Sequence, residues 1–500
     1  MNSSKLLARN ARKYPLQEAV VCQGRRLTYR ELDFHVNCFG SAIKGKGIDK
    51  GDKVALLMPN VIEFAIAYFA VQRLGAIVVP VNAKLTGSEV EYIVENSDAK
   101  AFIVHELLFQ GVKHFTAPSI LIKTGDFDGD WQSFEALMES GSADPISCDL
   151  TEDDLSTILY TSGTTGKPKG VLFSYRNILS VANLVCVEME VKPESRILLM
   201  MPLSHSAPLH LFFMAGMIVG STLVLTPTFT PDLFLDTVEQ EKTTHFFGAP
   251  VAYLTTAQHP RINEADLSSM KWWVYGGAAL STKEVKHIKQ VFPNGNLVCV
   301  YGLTEAGPSG TLLLDHEHET KAGSIGKRAA LGTEIKIIDN DGNGLSPGEV
   351  GEIALHGEGN MVGYYNNPDA TDEVLQNGWL RTGDLAMKDD DGYFWIVDRK
   401  KDMIISGGVN VYPKEIEDVF LMYEGVTEVA VIGVPHPEWG ETVKAIFAAN
   451  EKVTQNDVKS FLQERLASYK VPRIYEQVEA LPRNASGKIL KQVLREGVAN

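Results

Sequence analysis

Short apolar runs and stretches of helical spacing alternate along the chain. Residues 52–59 (DKVALLMP) read as a buried strand, residues 60–74 place their apolar side chains at helical spacing, and residues 76–81 return to a strand. Ahead of them, RRLTY at 25–29 leads into a helix from Arg30, with Thr28 as its N-cap and Glu31 placed to close a capping box. This β-α-β rhythm predicts an α/β fold, with parallel sheets covered by helices. Residues 196–201, 271–281 and 296–307 read as three more strands, each emptying into a small, polar loop. Together they predict one shared crevice at their C-terminal ends. Residues 212–225 are interrupted by Gly216, Gly220, Ser221 and Thr222, so they read as a buried helix and a strand, not a membrane span. Beyond the charged run DRKKD at 398–402 the pattern starts afresh, with a strand at 429–434, a helix at 455–469 and a basic tail. That run marks the expected boundary between a large domain, 1–400, and a small one, 401–500.

One stretch carries more chemistry than the rest. At 155–170 (LSTILYTSGTTGKPKG) a β-branched run ends in a loop of small, hydroxylated and basic residues. Gly163, Gly166 and Gly170 are read as allowing positive φ and close approach of a ligand to backbone N–H groups. Thr161, Ser162, Thr164 and Thr165 add hydroxyls, and Lys167 and Lys169 add cations. Such a turn is a cradle for a polyphosphate. It is not the Walker loop, because Lys167 is followed by Pro168, which offers neither a metal-binding hydroxyl nor an N–H. A metal must then be held elsewhere, and the loop need not enter a helix.

Composition narrows the choice. A chain of 500 residues with 44% hydrophobic and 22% charged residues is an ordinary soluble protein of more than one domain. A net charge of −16 argues against nucleic acid and polybasic membrane binding, so cations grouped at one loop gain weight. The five cysteines are scattered with no C-x-x-C, which predicts a reducing, cytoplasmic setting and neither zinc nor a disulfide framework. Lys5, Arg9, Arg12 and Lys13, interleaved with Leu6 and Leu7, suit an ordinary first helix.

Further candidates sit at strand ends. His205 follows the strand at 196–201, whereas His210 is off its helical face and no HExxH occurs. Gly276 and Gly277 would let a flat heterocycle lie on bare backbone. Tyr301, Gly302, Thr304 and Glu305 follow the third strand, and Glu305 supplies the acid for Mg2+ that the cradle lacks. Asp384 could accept bonds from ribose hydroxyls, and Arg399 could bridge ribose and phosphate. The run at 339–350 mimics a calcium loop, but its twelfth position is Val350 and Pro347 interrupts it, so it reads as a Gly-rich hairpin. His316 and His318 read as a solvated loop.

Six segments, in order and over nearly the whole chain, resemble the adenylate-forming superfamily of acyl-CoA synthetases, peptide-synthetase adenylation domains and beetle luciferases. They are YTSGTTGKPKG at 160–170, GGAALS at 276–281, YGLTE at 301–305, GWLRTGD at 378–384, DRKKDMIISGG at 398–408 and PRNASGK at 482–488. The resemblance implies a large N-terminal domain of stacked mixed and parallel sheets with flanking helices, plus a small mobile α+β C-terminal domain. It implies ATP, Mg2+ and coenzyme A: a carboxylate attacks the α-phosphorus of ATP, and a thiol then displaces AMP from the acyl-AMP. Carried over by position, Thr161 to Lys169 would hold the β- and γ-phosphates; Gly276, Gly277, Ala278 and Tyr301 would flank adenine, with Gly302 beside them. Thr304 would meet the α-phosphate, Glu305 the metal, Asp384 the ribose and Arg399 the ribose and domain junction. Lys401 falls at the hinge, and Lys488 matches the lysine that contacts carboxylate and α-phosphate during adenylation. Ser406, Gly407 and Gly408 would face the pantetheine arm in the second step, and His205 matches a histidine at the acyl site or its gate.

The segment at 397–417 is most similar to bacterial fatty and aryl acyl-CoA ligases, although Val409 stands where the family often has Glu. With only twelve residues after Lys488, no carrier domain is expected, and Val498-Ala499-Asn500 is not a peroxisomal signal. The pocket segments 203–213, 272–279 and 306–311 hold no Arg or Lys, which favours a medium- or long-chain fatty acid, with a benzoate- or cinnamate-type acid as the alternative. A non-catalytic acyl- or nucleotide-binding relative would be expected to have lost Lys488, Glu305 or a cradle lysine, and none is lost. The expected partners are small molecules only, and a homodimer is compatible with the sequence.

Overall fold

The computed structural model describes residues 4–126, 129–161, 167–292, 294–406, 409–450, 453–483 and 488–497. By its internal contacts the chain divides into two compact units, Met1–Ile335 with Leu355–Leu380, and Lys336–Ala354 with Arg381–Asn500.

The first unit holds two large sheets. One has the strand order Arg328–Ala329, Thr311–Leu313, Asn296–Tyr301, Trp272–Gly276, His245–Gly248, Arg196–Leu199, Thr222–Leu225, Glu18–Cys22 and Arg25–Thr28. From Asn296–Tyr301 to Glu18–Cys22 every pairing is parallel, and antiparallel strands close the two edges. Parallel neighbours need crossover helices, which cover both faces and make the strands apolar throughout. The three predicted strands therefore run the same way, and their C-terminal ends share one edge. The second sheet runs Gly363–Tyr364, Lys169–Ser174, Leu155–Thr161, Ile77–Val81, Lys53–Leu57, Ala99–Val104, Ile120–Lys123 and Gln132–Ser133.

Helix Ile62–Arg73 packs against strands of both sheets and is buried at every position except Glu63. That placement explains why it is apolar all round. Helix Tyr29–Gly45 has the predicted capping box of Thr28 and Glu31, and its Asp33 and Asn37 each meet Arg73 of the buried helix at 2.7 Å. The basic N-terminal stretch is an ordinary docked helix, Ser4–Lys13, with Leu6 and Leu7 buried and Asn10 Nδ2 donating to Met217 O (2.7 Å). Residues 212–225 become a π-helical turn ending at Phe213, helix Met214–Val219 and strand Thr222–Leu225.

In the second unit, Asp384–Lys388 pair antiparallel with Phe394–Arg399. The calcium-loop mimic is a hairpin, in which Asp339 N–H donates to Asn343 O (3.0 Å) and Asn343 N–H to Asp339 Oδ1 (2.8 Å). A five-stranded sheet then joins Val409–Val411, Ile404–Ser406, Gly440–Ala449 and Val426–His436, with Ile474–Gln477 parallel to Gly440–Ala449. Helices Pro413–Phe420 and Gln455–Gln463 bury Ile416, Phe420, Val458 and Leu462 against it. The second of these is shorter than the predicted 455–469. It ends in turns where Lys470 is drawn into an ion pair with Glu415 (2.6 Å).

Two further expectations are corrected. His318 is not solvated: it is buried, with Nε2 3.0 Å from the Tyr275 hydroxyl and Nδ1 2.8 Å from Leu314 O. Gly170 has no positive φ. A Cβ there would lie 2.8 Å from Ile158 and 3.0 Å from the Tyr160 ring, so close packing on the neighbouring strand is what excludes a side chain.

Candidate active site

The cradle connects two antiparallel strands. Leu155–Thr161 pairs with Lys169–Ser174, placing Thr161 directly opposite Lys169. Pro168, with no N–H to donate, sits at the loop's exit, and the chain beyond it enters the strand Lys169–Ser174, not a helix. Lys167 Nζ lies 5.1 Å from the Tyr92 ring centroid, and the Tyr92 hydroxyl donates to Pro168 O (3.2 Å). Lys169 Nζ lies 4.9 Å from the Tyr364 centroid. Aromatic faces thus hold both cradle ammonium groups. Ser162, Gly163, Thr164, Thr165 and Gly166 lie outside the described residues.

The other candidates lie at neighbouring ends of parallel strands in the first sheet. Gly276 ends one of them, and a Cβ there would sit 2.7 Å from Val300 O and 3.3 Å from the Phe247 ring. Gly277 takes φ +84° and has nothing within 4 Å of where its Cβ would be, which gives the open backbone expected beside a flat heterocycle. Ala278 next to it is exposed, and Tyr301, ending the adjacent strand, is half-buried. A Cβ on Gly302 would overlap the Pro308 carbonyl. The chain then turns through Thr304–Ala306. Thr304 Oγ1 accepts from the Ser206 hydroxyl (3.3 Å), and Glu305 Oε1 accepts from the Tyr364 hydroxyl (2.9 Å). His205 Nε2 lies 3.4 Å from Asn82 Nδ2. Strand ends far apart in sequence therefore meet around Thr304 and Glu305.

Among the described residues no three His, Cys, Asp or Glu side chains group as a metal cage. The Glu305 carboxylate, joined through Tyr364 to Lys169 at the loop's exit, would suit Mg2+, which keeps waters and is commonly held by one or two protein acids. The donor set fits that ion.

In the second unit Asp384 is buried and pairs with Arg399, Nε to Oδ1 at 2.7 Å, while Arg399 Nη1 donates to Thr382 O (3.3 Å). The two residues expected to meet a ribose thus hold each other. Glu352, buried, receives Gly383 N–H (3.0 Å), Arg381 Nε (3.0 Å) and Lys400 Nζ (3.1 Å) and so fixes the loop before Asp384. Asp398 accepts from Lys414 N–H (2.8 Å), and burial raises its pKa. Lys401 has a lowered pKa: burial acts first, and the cations of Arg399, Arg495 and Lys488 add to it against the pull of Asp402. Lys401 and Lys488 thus share one electrostatic neighbourhood. Exposed Lys488 is followed by helix Lys491–Glu496, tied down by Lys491–Glu417 (2.7 Å) and Arg495–Asp402 (2.8 Å). Ser406 pairs with Val409 at the end of its hairpin; Gly407 and Gly408 lie outside the described residues.

Sequence reading passed over Tyr364, Tyr92, Ser206, Asn82 and Glu352. Only Tyr364 carried a signal, an aromatic pair after glycine in GYYNNP at 363–368.

The model of the AMP-binding enzyme family matches residues 7–365, and that of the AMP-binding enzyme C-terminal domain matches 415–488. The chain is 37% identical to a feruloyl-CoA synthase of Amycolatopsis sp, covering 97% of each chain. It is 37% identical to the long-chain-fatty-acid–CoA ligase FadD13 of Mycobacterium tuberculosis, covering 94% of this chain and 93% of that one. A solved structure of a Mycobacterium tuberculosis fatty acyl CoA synthetase superimposes with a TM-score of 0.79 at 34% identity, over 99% of this chain and 98% of that one. Family model, relatives and superposition agree: the chain belongs to the AMP-binding enzyme family.

Proposed function

We propose that the protein is an AMP-forming acyl-CoA synthetase acting on a medium- or long-chain fatty acid. The observation that carries the reaction class is the meeting of the cradle strand with the Thr304–Glu305 turn, where Tyr364 touches both Lys169 and Glu305. A polyphosphate cradle beside a single metal-binding acid is the arrangement for attack at a nucleotide phosphate.

In the first step a carboxylate oxygen of the acid attacks the α-phosphorus of ATP, the bond to the β-phosphate bridging oxygen breaks, and pyrophosphate leaves. Thr161, Lys167 and Lys169 hold the departing phosphates, and Thr304 meets the α-phosphate. Lys488 offsets the negative charge that accumulates when one anion attacks another. Glu305 would hold Mg2+, which when bound would supply further positive charge to the phosphates. Gly276, Gly277, Ala278 and Tyr301 form the adenine surface, and Asp384 with Arg399 receives the ribose. No general base is needed, because the nucleophile is already ionised. In the second step the CoA sulfur attacks the acyl carbon and AMP leaves. For that step Lys401 is the proposed hinge residue, and Ser406, Gly407 and Gly408 are the proposed residues for the pantetheine arm.

The fatty-acid reading is supported by the segment Ala207–Phe213, which is buried from Pro208 onward and apolar except for His210. An aromatic acid is the second reading, favoured by the feruloyl-CoA synthase relative and by Phe212 stacked on Phe247 (centroids 5.3 Å apart). Five cysteines without a disulfide suit a reducing cytoplasm. No helix among the described residues is long and apolar enough to cross a membrane.

Pyrophosphate release from Mg·ATP across a panel of acids, with mass spectrometry of the thioester formed with CoA, tests the proposal. Acyl-CoA from acids of roughly eight to eighteen carbons is expected, on the basis of an apolar, cation-free acyl wall. Turnover confined to cinnamates or benzoates would select the second reading, and acyl-AMP without thioester would point to another acceptor.

A further inference from the structure

Residues 361–365 run between the cradle and the acid-bearing turn. Gly363 and Tyr364 pair with Leu172 and Val171 of the cradle's exit strand, and Tyr365 N–H donates to Gly170 O (2.7 Å). From the same segment, Met361 N–H donates to Glu305 O (2.8 Å), and Tyr364 N–H donates to Thr371 Oγ1 (2.9 Å). With its backbone fixed on both sides, Tyr364 places its hydroxyl on Glu305 Oε1 (2.9 Å) and its ring 4.9 Å from Lys169 Nζ. One side chain therefore presents its negative π-face to a cation and its O–H to an anion.

We propose that Tyr364 is a positioning residue that couples the metal-binding acid to the cradle cation. Its hydroxyl fixes the orientation of the Glu305 carboxylate and occupies one oxygen, leaving Glu305 to act as a one-oxygen ligand, the mode suited to a small octahedral ion. Its ring keeps the Lys169 ammonium ordered beside the cradle, so less side-chain freedom is lost when a phosphate binds. The inference rests on the roles given to Glu305 and Lys169 above.

Mn2+ is the probe, its binding followed by electron paramagnetic resonance in the presence of α,β-methylene-ATP. Calorimetry in EDTA gives the metal-free affinity for the same analogue. Tyr364→Phe keeps the ring and loses the hydroxyl; it is expected to weaken Mn2+ binding roughly ten-fold while leaving the metal-free affinity at the wild-type value. Tyr364→Leu loses both groups and is expected to weaken the metal-free affinity as well, by roughly three-fold. Wild-type Mn2+ affinity in Tyr364→Phe would overturn the proposal, as would an equal loss in both measurements, which a general disturbance of the fold would produce. Glu305→Gln separates the two levels of the argument. If that variant binds Mn2+ like wild type, the metal role of Glu305 fails and the proposal falls with it. If it loses Mn2+ while Tyr364→Phe does not, the coupling alone is wrong.

Discussion

His210, in the segment Ala207–Phe213, is fully buried against the cradle strands, with Nε2 3.1 Å from Thr157 Oγ1 and its ring edge-on to Phe173. His245 is equally enclosed, with Nδ1 2.7 Å from Thr244 Oγ1 and Nε2 2.8 Å from Met189 O. Burial lowers their pKa values to about 3 and about 4, against an ordinary 6.5. Below about pH 6.5 the unfolded chain takes up protons that the folded chain refuses, so the stabilisation is complete above that pH and is lost as pH falls toward the folded values. Each histidine then contributes a slope of up to about 1.4 kcal/mol per pH unit. Urea unfolding followed between about pH 7.5 and pH 4.5 should show stability falling with pH, and more shallowly in His210→Gln and His245→Gln; an unchanged slope in both would contradict this. The sequence set His210 apart from His205 but did not show that His210 or His245 is buried, and it read His316 and His318 alike although only His316 is solvated. Packing between distant strands decides which histidines are enclosed.

At the scale of elements, the strands and the loops that carry chemistry were legible because apolar runs ending in glycine leave a direct trace. The reason for each glycine was less visible. Gly302 is required by the Pro308 carbonyl, so Gly302→Ala should destabilise the protein by roughly 1–3 kcal/mol and weaken nucleotide binding, measured by denaturant midpoint and calorimetry. Tyr364 escaped notice because it lies in a two-residue strand and meets Glu305 across 59 residues. No periodicity reports such a contact. The C-terminal helix offers a second test. Glu417 has a pKa raised by burial, although Lys491 pairs with it and Val431 N–H donates to it (2.7 Å). Lys491→Ala should cost roughly 1–3 kcal/mol. The loss should be greater at about pH 8 than at about pH 5, since a carboxyl with a raised pKa favours the fold while protonated and loses that contribution as pH rises.

For the whole molecule, the proposed mechanism comprises two reactions on one chain, with Lys488 acting in the first only. Lys488→Ala should lower acyl-AMP formation by roughly 10²–10³-fold, while conversion of synthetic acyl-AMP to acyl-CoA changes little. Equal losses in both half-reactions would assign Lys488 to something other than adenylation. The sequence placed the division between a large and a small domain at the charged run 398–402, whereas the second compact unit also takes in Lys336–Ala354 and begins its second segment at Arg381. The Glu352 network was not legible, since Arg381, Gly383 and Lys400 lie 29, 31 and 48 residues from Glu352 and are unremarkable singly. The central claim is that a carboxylate oxygen of the acid attacks the α-phosphorus. A fatty acid labelled with 18O in both carboxylate oxygens, turned over with Mg·ATP and CoA, tests it most directly by mass spectrometry of the nucleotide and pyrophosphate. The account predicts one 18O in AMP and none in pyrophosphate. Unlabelled AMP, or label in an inorganic phosphate product, would contradict it.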